Sequence, residues 1–99
     1  SADVISFSDI RLKTNIETID NANELVSKMR GVFYNRIDTE DKSRKVGVIA
    51  QEMQKILPEV VSIDKDGTLG VAYGNIVAVL IEAVKNQQEQ INDLKKQVA

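Results

Sequence analysis

A seven-residue apolar repeat near the C-terminus constrains this chain more than any other feature. Val77, Val84, Ile91 and Val98 fall at one heptad position and Leu80, Gln87 and Leu94 at the other, so every seam position but Gln87 is apolar. The repeat predicts a long helix over residues 74–99. Isolated helices of that length are marginal in water, so burial of the seam, at about 25 cal/mol per Å² of apolar area, has to come from association. Self-association is the natural reading; the alternative is one amphipathic helix packed on its own domain, and Gln87 is compatible with either. Branched residues at the first position with Leu at the second favour a dimer by the simple rule, and three Gln87 side chains could also meet at an axis. Ile76, Val79, Ile81 and Ala83 are apolar outside the seam, which predicts that Ile76–Val84 is buried on several sides against the rest of the chain.

The remaining residues are expected to form one small domain of helices and strands. A 99-residue chain buries only about 60–65% of its unfolded surface, so a partner chain would add stability. Val4-Ile5-Ser6-Phe7 reads as a short strand or an extended arm. Ile16, Ile19, Leu25, Val26 and Met29 sit at roughly helical spacing, in a helix closed by Gly31. Val32–Ile37 is β-branched and aromatic and reads as a strand, followed by a charged, mobile loop over 38–45. A second helix runs from about Val48 through Met53 to Leu57, where Pro58 stops it. Two strands, Val60–Ile63 and Thr68–Tyr73, flank Asp64-Lys65-Asp66-Gly67, and Asp-Gly between such runs signals a hairpin. Asp64 and Asp66 hint at a calcium loop, but the further oxygen ligands and the closing Glu are missing, so the turn is read as structural and no metal is assigned.

Composition narrows the chemistry. No cysteine and no histidine are present, which removes disulfides, thiol nucleophiles, the usual general base and the commonest zinc ligand. Any catalysis falls to Ser, Lys, Asp, Glu or Tyr. A formal net charge of −2 with four aromatic residues offers no footprint for nucleic acid. The longest apolar stretch, Ile76–Ile81, is far below the ~20 residues of a membrane span, and no basic-then-apolar signal opens the chain. A soluble domain without nucleic-acid or membrane partners is expected.

A serine hydroxyl becomes a nucleophile at neutral pH only beside a base, and a lysine desolvated from its usual pKa of about 10.4 can be that base. Ser8 and Lys13 are candidates for such a pair. Five residues of straight strand would hold them roughly 16 Å apart on opposite faces. The pair therefore requires a turn between Asp9 and Leu12. From spacing alone, Ser8 is equally readable as a surface helix cap and Lys13 as a solvated charge.

Two blocks, Ser8-Asp9-Ile10-Arg11-Leu12-Lys13-Thr14-Asn15-Ile16 and Gly47-Val48-Ile49-Ala50-Gln51-Glu52, precede the heptads. Together they resemble the C-terminal intramolecular chaperone domain of phage tailspikes, tail fibres and neck appendages, a self-cleaving trimeric module also found in the myelin regulatory factor. The resemblance covers nearly the whole chain. It implies an α+β fold, with a small mixed globular part followed by a long coiled-coil helix, assembled as an intertwined homotrimer. It divides the chain into an upstream segment (1–7), a globular chaperone part (8–73) and a trimeric helix (74–99).

The resemblance also implies a chemistry: Ser8 attacks the Phe7 carbonyl with Lys13 as general base, cutting between Phe7 and Ser8 without a cofactor. Asp9, Arg11, Gln51 and Glu52 are implied as supporting residues, structural before catalytic, and Gly47 as a point of close packing. Assembly would switch the reaction on. The implied partner is the upstream fibre or tailspike segment of the same polypeptide, folded in the host cytoplasm during virion assembly and then left by the released chaperone. The competing reading is a permanent trimerisation module without chemistry. A DNA-linked role finds no basic feature to support it.

Overall fold

The computed structural model describes residues 3–98. Residues 1 and 2, the start of the expected upstream segment, and residue 99, the end of the expected helix, lie outside the described residues. The fold is α+β: α1 (Ala22–Lys28), β1 (Val32–Tyr34), β2 (Lys45–Gly47), α2 (Ala50–Ile56), β3 (Val61–Ile63), β4 (Leu69–Val71) and α3 (Tyr73–Val98), with 3-10 turns at Ile10–Leu12 and Pro58–Val60. Two antiparallel ribbons result, β1 with β2 and β3 with β4. The second is the hairpin expected around Asp-Gly, pairing Val61 with Val71 and Ile63 with Leu69. Gly67 turns it at φ 87°. The Asp64 carboxylate accepts the Asp66 and Thr68 N–H groups at 3.1 and 3.0 Å. The carboxylates of this turn are engaged by backbone donors.

Helix α3 is the spine. Its Val79 and Ala83 bury against Ala22 of α1, with Ile19, Leu25, Val26, Met29 and Leu57 around them. Its Ile76 joins Met53 and Val60, surrounded by Met29, Val48, Leu57, Val61 and Val71. Met29 and Leu57 touch both clusters, so the core is one seam running under the first half of α3. The second half of α3 extends beyond it. Among the described residues no helix is long and apolar enough to cross a membrane.

Several expectations are corrected. The helix expected from Ile16 begins only at Ala22, because Asn15 and Asn21 take left-handed φ values of 54° and 52°, a conformation that asparagine tolerates and a helix interior does not. Ile19 still reaches the core, which is why the spacing looked helical. Gly31 does not close α1; the chain turns extended at Met29 (φ −82°) and runs straight into β1. Strand β1 stops at Tyr34, and Ile37 is exposed. Strand β2 takes in Lys45, expected as the end of the charged loop, and the two residues after it, for which no element was expected, with Val32 opposite Gly47 and Tyr34 opposite Lys45. The loop between them is closed on itself: Asn35 Nδ2 donates to Lys42 O at 2.7 Å, and Asp41 accepts from Ser43 N at 2.9 Å and Lys45 Nζ at 2.8 Å. Residues 4–7 form the extended arm rather than a paired strand. Within Ile76–Val84 only one face is buried, and Ile81 is 53% exposed.

The molecule is far from compact. It exposes 8556 Å², where a folded monomer of 11.0 kDa exposes about 5,600 Å². Its radius of gyration is 17.3 Å against about 13 Å for a compact chain of this length. Met53, the largest fully buried side chain, anchors what core there is. Met53→Ala is expected to cost about 2–4 kcal/mol, read from denaturant midpoints at one fixed chain concentration.

Candidate active site

The 3-10 turn Ile10–Leu12 supplies the reversal that the Ser8 and Lys13 pair requires. Leu12 N donates to Asp9 O at 3.0 Å and Lys13 N to Ile10 O at 3.1 Å. Asp9 caps the turn, its Oδ1 accepting the Arg11 backbone N–H at 2.8 Å. The Arg11 guanidinium folds back onto the same carboxylate, with Nε at 3.1 and 3.2 Å from the two oxygens and Nη2 at 2.8 Å from Oδ2. These hydrogen bonds hold the Asp9 carboxyl below its ordinary pKa, and Asp9 in turn raises that of Arg11. Across the turn, Lys13 Nζ donates to Ser8 Oγ at 2.5 Å. A hydroxyl and an amine five residues apart are thus in direct contact.

This site stands in solvent within the single chain. Phe7 is 94% exposed, and Ile10 and Leu12 are also largely open. Ser8 lines an open cleft of about 670 Å³ with Val4 and Ser6 of the arm and Ala72, Tyr73, Gly74 and Asn75 at the start of α3. Tyr73 was expected at a strand end; it is instead the first residue of α3, and its hydroxyl accepts the Val48 N–H at 3.1 Å. A Cβ on Gly47 would stand 2.5 Å from that hydroxyl oxygen, so a larger residue there would force the tyrosine hydroxyl to shift. Tyr73 therefore ties the second sequence block to the cleft that holds Ser8. The signal for it in the sequence was Gly47, implied by the resemblance as a point of close packing.

Gln51 and Glu52 lie elsewhere. Glu52 takes a two-pronged ion pair from Arg30, Nη2 to Oε2 at 2.6 Å and Nε to Oε1 at 3.2 Å, which lowers the Glu52 pKa and ties α2 to the segment ahead of β1. Gln51 lines a separate open cleft of about 550 Å³ with Val32, Phe33, Tyr34, Val48 and Leu69. The heptad positions form a stripe along α3 that the chain leaves open: Val77, Leu80, Val84, Ile91, Leu94 and Val98 are all exposed large apolar side chains, with Gln87 exposed among them.

The sequence profile of the family described as chaperone of endosialidase, which is designated a peptidase family, matches residues 8–62 and so starts at Ser8. Long tail fibre proteins are similar over nearly the whole chain. That of Enterobacteria phage Ox2 is 36% identical over 102 residues, covering 95% of this chain and 41% of the relative. That of Enterobacteria phage K3 is 36% identical over 98 residues, covering 92% of this chain and 8% of the relative. That of Escherichia phage AR1 is 37% identical over 90 residues, covering 83% and 8%. The chain thus spans less than half the length of each of these relatives.

The fit between Gly47 and Tyr73 is testable by a double-mutant cycle. Gly47→Ala alone is expected to destabilise by about 1–3 kcal/mol through the clash. In a Tyr73→Phe background, where the nearest remaining atoms are Tyr34 Cε1 at 3.3 Å and Tyr73 Cζ at 3.4 Å, its cost should fall by at least about half, a coupling read from thermal or denaturant unfolding.

Proposed function

The chain belongs to the chaperone of endosialidase family, and from that premise we propose that it is the intramolecular chaperone of a phage tail fibre, which assembles as a homotrimer and releases itself by a single cut between Phe7 and Ser8. The contact from Lys13 Nζ to Ser8 Oγ is the observation that carries this reading. Two supports stand beside it: the family match starting at Ser8, and the similarity to long tail fibre proteins.

Ser8 Oγ adds to the Phe7 carbonyl carbon while Lys13 takes the hydroxyl proton. The carbon–nitrogen bond breaks as the proton passes to the Ser8 nitrogen, leaving an ester between Phe7 and the Ser8 side chain. Water then opens the ester. The products are a fibre segment ending in the Phe7 carboxylate and a chaperone beginning with Ser8. One water is consumed, and the Ser8 hydroxyl and the Lys13 amine are regenerated. The upstream fibre segment is the substrate, joined in the same polypeptide, and the setting is the host cytoplasm during virion assembly.

Assembly supplies what the single chain lacks. A lysine accepts a proton near neutral pH only when burial lowers its pKa, and Ser8 and Lys13 are both exposed here. The excess of about 2,900 Å² over a compact monomer is the scale of a permanent interface. Association along Val77, Leu80, Val84, Gln87, Ile91, Leu94 and Val98 would set three chains in register and lower the entropic cost of starting an intertwined fibre.

The test is intact mass of the domain expressed with its natural upstream segment. Wild type is expected to yield a fragment beginning at Ser8, whereas Ser8→Ala and Lys13→Ala remain whole as trimers of unchanged sedimentation. An uncut wild type that still forms trimers would leave a permanent assembly module in place of an autoprotease. Leu94→Asp, far from Ser8 along the chain, is expected to abolish both trimer and cut; cleavage by that variant as a monomer would separate the chemistry from assembly.

A further inference from the structure

Resting on the reading of Ser8 and Lys13 as nucleophile and base, we propose that Asp9 is the positioning residue of the pair: its carboxylate clasps Arg11 and so closes the turn that delivers the Lys13 amine to the Ser8 hydroxyl. Little else holds this turn. Among the described residues, the main-chain bonds that close it are the two from Leu12 N and Lys13 N, and a single 3-10 turn is intrinsically weak. Burial contributes little, since Ile10 is 74% and Leu12 70% exposed.

Asp9 supplies the missing restraint. Its Oδ1 takes the Arg11 backbone N–H, a donor that the start of a helical turn leaves without a partner. Both carboxylate oxygens also accept from the Arg11 side chain, the paired geometry that a planar guanidinium favours. All four contacts run to a residue inside the turn and none to Ser8 Oγ or Lys13 Nζ. Asp9 therefore acts through the backbone and takes no part in proton transfer. The lowered carboxyl pKa keeps it ionised, and so able to clasp, throughout the neutral range.

Asp9→Ala removes cap and clasp together and is expected to slow self-cleavage of the full trimer about tenfold, the scale of losing a good N-cap. Asp9→Asn keeps an oxygen for the Arg11 N–H and should fall between Asp9→Ala and wild type. Equal rates for all three, an Asp9→Asn as slow as Asp9→Ala, or loss of the trimer in Asp9→Ala would each overturn the assignment. A second readout is independent of cleavage. In the uncut Ser8→Ala background, Asp9→Ala should raise hydrogen exchange of the Arg11, Leu12 and Lys13 amides about tenfold while the α3 amides stay protected; unchanged exchange at the turn would also overturn it. An uncut wild type counts against the autoprotease reading, whereas exchange at the turn decides the role of Asp9.

Discussion

Helix α3 carries two apolar stripes, and the rest of the chain has side chains enough to cover one of them. At 3.6 residues per turn, Ile76, Val79 and Ala83 share one face, and the heptad series from Val77 to Val98 forms a second stripe beside it. The first is sealed by α1, α2 and the 3-10 turn at Pro58–Val60. The second is open along its whole length. Neighbouring stripes mean that a chain docking on the second also abuts α1 and its flanking segments, so an assembled core would be continuous with the internal one. This geometry accounts for the surface and radius that set the chain apart from a compact monomer of its size.

The first ribbon and the Ser8 cleft meet at the first turn of that helix. Tyr73, its first residue, accepts the Val48 N–H and fills the space that Gly47 leaves free. One ribbon and α2 are thereby fixed to the same helix end against which the N-terminal arm lies, with Ser8 in the intervening cleft. The second conspicuous ion pair, Arg30 with Glu52, is exposed and of a kind worth little in isolation. Its place is more telling than its strength, because it joins the exit of α1 to the start of α2 across the ribbon between them.

What was legible in the sequence follows from how local each signal is. The long C-terminal helix carries its signal in a sustained seven-residue repeat, and the Asp-Gly hairpin and the stop at Pro58 are encoded within a few residues; all three came out where expected. Strand β2 was not readable, since Lys45-Val46-Gly47 has one strand-forming side chain and owes its conformation to β1 across the ribbon. The overlong helix from Ile16 failed for a related reason: core contacts at Ile19 mimic helical spacing, and only the left-handed Asn21 shows where the helix starts. For the site, spacing alone left Ser8 and Lys13 undecided, and the two sequence blocks made them candidates. The turn between them was a requirement the sequence could pose; Asp9 capping Arg11 N is how the chain meets it. Tyr73 escaped because its role is set by Gly47, 26 residues earlier in the chain.

The contrast between site and scaffold bears on how the proposed reaction would be timed. A nucleophile and base built from one exposed turn can form as soon as the chain leaves the ribosome, since it needs no distant contact. Desolvation cannot come so early, because both residues are exposed among the described residues of the single chain. The apolar residues around them, Val4, Ile5, Phe7, Ile10 and Leu12, are equally uncovered, and Val4, Ser6 and Ser8 of the arm share a cleft with the end of α3 from which the open heptad stripe starts. A neighbour that covers this stripe is well placed to cover the arm as well. Burial of the arm would then add to the stability of the assembly and lower the cost of the neutral amine in the same step. In such a design the slow, concentration-dependent event is association, and the cut can follow only when the fibre chains upstream have already been brought together.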